Sequence, residues 1–348
     1  MRTDEFDYHL PPRLIAQAPG RRGDSRLLVV YRGSGRIEHH SFSDLPDFLE
    51  PGDLMVLNDT RVTARRLRAL RETGQEAEVV LLRPVGEQSW QALVRPGRSM
   101  RPGRTVILLG ENGERASAEL TGITSEGGRE LRFSSPEERD MLAHWGAAPL
   151  PPYIHAPLAR TQEDRYQTVY ATHAGSAAAP TAGLHFTSEM LQKLEARGVS
   201  SARVTLDVGV GTFRPVKSAT IEEHEMHSEK AVLSAETASR INAAPGRLIA
   251  VGTTSVRTLE SAAGAAEQSG RATKDRVVPF AGATRLFITP GYVFRAVDAL
   301  ITNFHMPCST LLMLVSAFAG MELTREAYGV AIEREYRFFS FGDAMLIL

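Results

Sequence analysis

The sequence predicts an α/β protein in which both ends of the chain, residues 1–63 and 148–348, form a larger α/β domain with a smaller inserted antiparallel β-barrel-like domain, residues 64–147. Short alternating runs separated by glycine-rich turns between about residues 64 and 135 are typical of a small β domain. Strand and helix patterns alternate after residue 148, as in α/β folds. A length of 348 residues suits two domains.

The first segment is predicted to form a β-hairpin, a short helix around Asp44–Leu49, a buried strand at Leu54–Leu57 and a closing loop at Asn58–Thr60. The two hairpin strands, Arg26–Tyr31 and Arg36–His40, flank a Gly-Ser-Gly turn. In the inserted domain, a short helix at Glu137–Leu142 follows the strands. The predicted strands there are Glu78–Leu82, Trp90–Val94, Thr105–Leu109, Ala116–Thr121 and Glu130–Phe133.

The last segment is predicted to alternate strands with amphipathic or buried helices. The predicted helices are Ser188–Arg197, Ala235–Ala243, one from Val256, one from Ser309 or Thr310 to Phe318, and Arg325–Tyr336. The predicted strands are Ala202–Asp207, Leu248–Val251, Arg285–Thr289, Val293–Arg295, Ala299–Asn303 and Ala344–Leu348.

Composition predicts a soluble cytoplasmic protein. The net charge of −1 does not point to a nucleic-acid or membrane binder, and the single cysteine, Cys308, excludes an intrachain disulfide and a multi-cysteine metal site. The N-terminus has no apolar signal-peptide core. The longest apolar run, Leu311–Ala319, is too short to span a bilayer.

The stretch Gly175–Thr187 joins small residues to His185 and Phe186 at the start of a helix. Small residues, including Gly183, allow the backbone to approach a ligand closely, and a helix N-terminus suits an anionic or polar group. Thr181 and Gly183 are therefore candidate ligand-binding residues. The alternative is a Gly/Ala-rich turn before an ordinary helix.

A strand–GTTS–helix pattern at Leu248–Leu259 indicates an anion site. Thr253, Thr254 and Ser255 bring hydroxyl and backbone N–H groups to a helix N-terminus, with Arg257 one turn further on. The lysine and spacing of a P-loop are absent, so a carboxylate or a single phosphate fits better than a nucleoside triphosphate. The alternative is a helix cap with a structural role alone.

His224, His227 and Glu229 form a polar cluster that does not match the HExxH zinc pattern. Two imidazoles three residues apart can share a helix face, but a metal would need a third ligand from elsewhere. Acid–base chemistry is the second interpretation, because histidine exchanges protons near pH 7. A solvated loop is the third.

Further candidates stand at strand ends and on the β domain. Asp207–Phe213 contains GxG without the third glycine of a dinucleotide site, and Asn303 and His305 end a strand. Cys308 stands before a helix N-terminus that would lower the pKa of its thiol and favour a nucleophile, but no histidine partner can be assigned to it from the sequence. Arg61–Arg104 contains ten arginines, no lysine and four glutamates, which suits phosphate binding or a solvated surface. The candidate nucleic-acid contacts are Arg65, Arg66, Arg95, Arg98 and Arg101.

Together these stretches resemble the S-adenosylmethionine:tRNA ribosyltransferase-isomerases of queuosine biosynthesis. The resemblance covers nearly the whole chain and is weakest in the β domain. The family pattern has histidine at the position of Asp207 and lysine at that of Cys308, so we expect neither residue to be essential. The matching stretches are FDYHLPPRLIAQAP from Phe6, NDTRV (Asn58–Val62), LPPYI (Leu150–Ile154), DRYQTVYA (Asp164–Ala171), AAPTAGLHFT (Ala178–Thr187), HEMHSE (His224–Glu229), VGTTSVRTLES (Val251–Ser261), TNFHMPCSTLLMLVSAFAG (Thr302–Gly320) and YRFFSFGDAM from Tyr336.

The resemblance implies a cytoplasmic transferase that moves and isomerises the ribosyl group of S-adenosylmethionine onto 7-aminomethyl-7-deazaguanine at the tRNA wobble position. Epoxyqueuosine-tRNA forms, and adenine and methionine leave. No metal or cofactor beyond S-adenosylmethionine is implied, and a monomer is expected. Two other functions stay open: a tRNA- or nucleotide-binding protein without catalysis, and a metallohydrolase that uses His224 and His227.

The implied reaction needs a base beside the sulfonium-activated methylene and an acid for the departing adenine. His185 is the first candidate for the base, and His224, His227 and Glu229 are candidates for the acid and its orientation. The sulfonium favours aromatic faces, which Phe186 and Phe213 offer. The methionyl carboxylate suits the Thr253–Ser255 helix start with Arg257. The remaining cofactor contacts are Thr181, Gly183, Asn303 and His305.

Overall fold

The computed structural model describes residues 1–110, 112–124, 127–142, 145–209, 215–272 and 274–348. Among the described helices, none is long and apolar enough to cross a membrane. The strands are β1 (Arg26–Val30), β2 (Ile37–Ser41), β3 (Leu54–Asn58), β4 (Thr60–Val62), β5 (Arg65–Arg71), β6 (Glu76–Pro84), β7 (Ser89–Arg95), β8 (Thr105–Leu109), β9 (Arg115–Ile123), β10 (Arg129–Phe133), β11 (His173–Ser176), β12 (Ser200–Leu206), β13 (Glu229–Leu233), β14 (Leu248–Val251), β15 (Phe280–Thr284), β16 (Ala299–Asn303) and β17 (Ala344–Ile347). The helices are α1 (Pro136–Met141), α2 (Ser188–Ala196), α3 (Ala235–Ala243), α4 (Thr253–Gln268), α5 (Thr310–Ala319) and α6 (Met321–Glu333).

Nine strands form one mixed sheet in the order β15-β13-β12-β3-β14-β16-β17-β1-β2. The neighbours β12, β3, β14 and β16 run parallel, so their carboxyl ends lie along one edge. In open α/β sheets, ligands bind outside the carboxyl ends of parallel strands. Asp207, Gly252 and Asn303 stand at or just after the ends of β12, β14 and β16, which makes this edge the place to look for a site.

The central strands are apolar on both faces because each face is covered by its own hydrophobic cluster. In β14, Leu248 and Ala250 belong to the cluster that includes α4, α5 and α6, whereas Ile249 and Val251 belong to the cluster on the other face. Buried parallel strands therefore read as continuous apolar runs, as Leu248–Val251 does.

Six strands close into an antiparallel barrel in the order β10-β7-β6-β5-β8-β9. Alternate side chains such as Leu67, Val79, Trp90 and Leu131 fill its interior. A smaller barrel beside a larger sheet built from both ends of the chain confirms the predicted fold class. The domain boundaries themselves stay a prediction.

Several element predictions were wrong. No strands occupy Arg285–Thr289 and Val293–Arg295. The strand lies earlier, at β15, and the buried Glu260 carboxylate accepts the backbone N–H groups of Arg295, Ala296 and Val297 in place of a sheet neighbour. The sequence analysis did not predict β5, because arginines fill the outward positions of that strand. It did not predict β13, because the strand begins at Glu229, which was assigned to the polar cluster of His224 and His227.

Candidate active site

A cavity of about 770 Å³ lies between the barrel and the carboxyl edge of the main sheet. Leu82, Arg83, Gln91 and Leu93 of β6 and β7 line one side. The other side consists of strand ends and of the irregular segment before β13. This volume falls in the range of about 300–1,000 Å³ that small-molecule sites occupy. The residues on the main-sheet side include Gly175, Ala177, Asp207, Val208, Gly209, Lys217, His224, His227 and Glu229.

His224 and His227 both line this cavity from an irregular segment, not from a helix face. Their Nε2 atoms are buried and have no hydrogen-bond partner within the described residues. Burial, with a smaller contribution from His227, lowers the pKa of His224. Because buried polar atoms are nearly always hydrogen-bonded, two unpartnered imidazole nitrogens on residues that line one cavity mark this wall as a candidate ligand-binding surface.

Glu229, the first residue of β13, is held in a buried ion pair below the cavity wall. Arg257 donates from Nη1 to one carboxylate oxygen, and the backbone N–H of Gly209 donates to the other at 2.9 Å. Both charged side chains are almost fully buried. Glu229 therefore fixes the end of β12, and the Arg257 guanidinium is already paired.

The predicted anion site at the start of α4 does not line the cavity. Thr253, Thr254 and Ser255 are buried there, and the Ser255 hydroxyl donates to the Val251 carbonyl at 2.8 Å. The Thr254 hydroxyl has no hydrogen-bond partner in the described part of the chain. Because Arg257 pairs with Glu229, the helix start lacks the cation that the sequence analysis expected beside it.

His185 is buried and hydrogen-bonded through both ring nitrogens. Its Nε2 lies 3.0 Å from Nδ2 of Asn303, and its Nδ1 lies 2.7 Å from the Ser25 hydroxyl. Asn303 accepts from Thr181 through its oxygen, so its amide nitrogen must donate and His185 Nε2 must accept. Burial, and secondarily Arg337 and Arg22, lower the pKa of His185 to about 3. The residue is a neutral imidazole without a free nitrogen.

The other residues expected around the cofactor also lie outside the cavity, where Asn303 is hydrogen-bonded to both Thr181 and His185. Phe186 packs against Phe42 in the core, and Tyr170 fills the space beside Gly183. His305 Nε2 contacts the Thr302 hydroxyl at 2.8 Å. Three strand spacings, about 14 Å, separate β16 from β12, so the predicted set divides into two groups. The group outside the cavity comprises Thr181, Gly183, His185, Phe186, Asn303 and His305.

The two buried histidines, His185 and His305, are expected to make the folded protein less stable in acid. Burial lowers the pKa of both His185 and His305 to about 3, below the value of about 6.5 in an unfolded chain. The unfolded state therefore binds the protons first, and stability that is complete above pH 6.5 is lost as the pH falls toward 3. We expect each histidine to cost about 2 kcal/mol of unfolding free energy at pH 5.

Urea unfolding at pH 5 and pH 8 measures this loss. His185→Gln is expected to remove about 2 kcal/mol of the pH dependence, whereas His155→Gln, at an exposed loop position, leaves it unchanged. Equal pH dependence in the His185 variant and the parent protein would contradict the assignment.

Sequence reasoning missed the barrel side of the cavity. Arg83 and Gln91 carry no local motif, and only closure of the barrel brings them opposite His224. Phe213, expected near the sulfonium, lies outside the described residues. Across the described ranges, no three His, Cys, Asp or Glu side chains form a group that holds a metal ion.

The candidate tRNA-binding arginines fall into two sets. Arg65 bonds Glu163 at 2.8 Å, and Arg66 donates to the Leu150 carbonyl at 3.3 Å, so both tie the barrel to the main domain. Arg95, Arg98 and Arg101 are exposed and have no ion-pair partner in the described chain. Only the second set is free to meet phosphates.

Comparison with known proteins identifies the family. The family model described as "Queuosine biosynthesis protein" matches residues 3–347. The chain is 52% identical over 359 residues to the S-adenosylmethionine:tRNA ribosyltransferase-isomerase of Symbiobacterium thermophilum, covering 100% of both chains. It is 50% identical over 349 residues to the protein of the same name from Heliobacterium modesticaldum, covering 99% of this chain and 98% of the relative.

A solved structure is similar to this chain as well. The crystal structure of S-adenosylmethionine tRNA ribosyltransferase from Thermotoga maritima aligns with a TM-score of 0.55 and 38% identity, over 99% of this chain and 100% of that one. A family match over almost the entire sequence, full-length relatives at about half identity and a shared architecture lead to one conclusion. The chain belongs to the queuosine biosynthesis protein family.

Proposed function

We propose that this chain transfers and isomerises the ribosyl moiety of S-adenosylmethionine onto 7-aminomethyl-7-deazaguanine at the tRNA wobble position. The products are epoxyqueuosine-tRNA, adenine and methionine. The names of the full-length relatives support the reaction class. The observation that carries the proposal for the site is the interdomain cavity with two unpartnered imidazole nitrogens, His224 Nε2 and His227 Nε2.

His224 and His227 supply the proton transfers in this proposal. The sulfonium acidifies the adjacent 5′ methylene, and a neutral imidazole can take that proton. Burial lowers the pKa of His224, which favours the neutral form that a base needs, so we assign His224 as the base. His227, three residues further on and in the same cavity, protonates the departing adenine. Glu229 holds the cavity wall in place through the backbone N–H of Gly209.

Arg95, Arg98 and Arg101 are proposed to bind the tRNA backbone. Phosphate contacts make affinity fall with salt, and each lost contact lowers the slope of log K against log salt by about 1. We expect the Arg98→Glu/Arg101→Glu variant to bind tRNA more weakly with a slope smaller by about 2. Filter binding across a salt series measures both quantities.

The control is Lys193→Glu/Arg197→Glu, at the end of α2 and at its C-cap, which changes the net charge equally on the main domain. Because Arg197 pairs with Asp47 at 2.7 Å, urea unfolding of this variant is measured alongside its tRNA binding. If both double variants weaken tRNA binding to the same extent, net charge explains the effect and the tRNA face lies elsewhere.

We also propose that the protein acts as a cytoplasmic monomer and needs no metal. Ordinary composition and a nearly neutral net charge support a soluble protein. Metal analysis of the purified protein tests the metal question, because stoichiometric zinc together with loss of activity on chelation would favour a metal-dependent enzyme.

The reaction is tested by incubating the protein with S-adenosylmethionine and tRNA bearing the aminomethyl-deazaguanine base. Released adenine together with the added mass on the wobble nucleoside is the expected result. Tight tRNA binding without either product would favour a binding protein.

A further inference from the structure

A histidine–aspartate pair stands beside the cavity and has no role in the proton transfers proposed above for His224 and His227. Asp59, between β3 and β4, is 4% exposed. Its carboxylate accepts the Thr205 hydroxyl at 2.7 Å through one oxygen, and His173 Nδ1 at 3.0 Å and the Thr172 hydroxyl at 3.2 Å through the other. Its backbone carbonyl also accepts the N–H groups of Thr172 and His173. The carboxylate is therefore fixed in place.

The His173 ring is presented to solvent, unlike His185 and His305. Its side chain is 66% exposed, whereas the Asp59 side chain is 5% exposed. A carboxylate that accepts from Nδ1 fixes the tautomer in which Nε2 carries the lone pair. No contact occupies that Nε2 within the described residues. His173 is thus an oriented, accessible base.

The pair adjoins the cavity through Thr60. The Thr60 hydroxyl donates to Asp207 Oδ1 at 2.9 Å and contacts the His173 carbonyl at 3.4 Å, and Asp207 lines the cavity. Gly175, two residues after His173, also lines it and packs directly against the Asp207 carboxylate. His173 therefore stands beside the cavity wall formed by Gly175 and Asp207, with its ring open to solvent.

We propose that His173 is the base that prepares the tRNA substrate, an inference that rests on the proposed function. The aminomethyl group of the acceptor base is an ammonium ion at neutral pH and cannot attack carbon until it loses a proton. That proton passes from the ammonium nitrogen to His173 Nε2, leaving a neutral amine and an imidazolium that Asp59 stabilises. The imidazolium then releases the proton to solvent. Asp59 acts as a positioning residue.

The charged groups around His173 suit this transfer. The loop that carries Asp59 and the end of β12 with Asp207 contribute two carboxylates. Arg61 of β4, in register with Ala174, and Arg203 of β12 contribute cations from the adjoining strands. Asp59, which contacts the ring, and Asp207, which is joined to the His173 backbone through Thr60, favour a substrate cation at this edge.

Product formation by His173→Gln between pH 6 and pH 9.5 tests the proposal. At pH 7 we expect a loss of about 10²-fold or more, as for other lost acid–base groups. The difference in rate between the variant and the parent becomes smaller toward pH 9.5, because a primary amine increasingly loses its proton there without a base. In His173→Ala, added imidazole restores part of the rate because the position is open to solvent. Asp59→Asn lowers product formation by a smaller factor, and its difference from the parent protein also shrinks toward pH 9.5.

The matched control is His155→Gln, another exposed histidine, which retains parent activity. Unchanged turnover in His173→Gln, or an equal loss at every pH without rescue by imidazole, would overturn the role of His173. The parent protein separates the two hypotheses: a parent that forms no product defeats the proposed function, whereas an active parent with an equally active His173 variant defeats this inference alone.

Discussion

Replacing His224 with glutamine is expected to lower turnover by about 10²–10⁴-fold, the usual contribution of a general acid–base group. Glutamine keeps hydrogen-bonding atoms at this position in the cavity wall but cannot take a proton at neutral pH. The imidazole is suited to the task because burial lowers the pKa of His224 and leaves Nε2 without a partner among the described residues. We therefore expect tRNA affinity to stay close to that of the parent while the chemical step slows.

Single-turnover release of adenine, followed from pH 5 to pH 9, measures this effect. Since the pKa of His224 is lowered, the acidic limb of the parent profile is expected below the ordinary histidine value of about 6.5. His155→Gln, at an exposed position, serves as the control. A His224 variant that turns over within a few-fold of the parent would contradict its role as the base.

Replacing Arg257 with methionine is expected to lower the unfolding free energy by about 3–5 kcal/mol, the usual cost of removing one partner of a buried ion pair. Glu229 would lose the Arg257 guanidinium from its buried surroundings while keeping the Gly209 N–H bond. Because that bond fixes the end of β12, we also expect the cavity wall at Gly209 to loosen.

Urea unfolding of a double-mutant cycle isolates the pair. Glu229→Gln/Arg257→Met removes both charges, so we expect it to be more stable than Arg257→Met alone. Lys230→Met, at the exposed position after Glu229, is the control for loss of a cation. Arg257→Met with parent stability would show that the pair contributes little and would reopen Arg257 as a ligand-binding residue.

Elements with strong local patterns could be predicted from the sequence. The runs Leu248–Val251 and Ala299–Asn303 are apolar throughout because both faces of the main sheet are covered, and both strands were placed correctly. Ser309 caps α5 through its side chain, as its position before an apolar run indicates. Alternation in β8 predicted a barrel strand for the same kind of reason.

The site was harder to predict because its parts come from different elements. His185 has the neighbours of an active-site histidine in sequence, yet Ser25 and Asn303 occupy both of its ring nitrogens, and neither contact is visible from spacing. Arg257 follows a helix start, but its partner Glu229 comes from β13. Of the predicted catalytic set, the fold brings His224, His227 and Glu229 to the cavity and buries His185 elsewhere.

The sequence contained an indication of the role of His173 that the sequence analysis did not use. His173 lies two residues after the DRYQTVYA stretch, and Asp59 lies within NDTRV, two of the stretches that carry the resemblance. The parallel pairing of β11 with β4 joins them, and such a pairing of distant short strands leaves little periodicity in the sequence.

We propose that S-adenosylmethionine binds in the cavity between the barrel and the main sheet. Ultraviolet crosslinking of labelled S-adenosylmethionine to the protein in the presence of tRNA, followed by peptide mapping, tests it most directly. We predict labelled peptides from residues 207–230 and from β6 and β7, with labelling suppressed by excess unlabelled ligand. Labelling confined to residues 181–186 and 253–257 would contradict the claim and return the site to His185 and the start of α4.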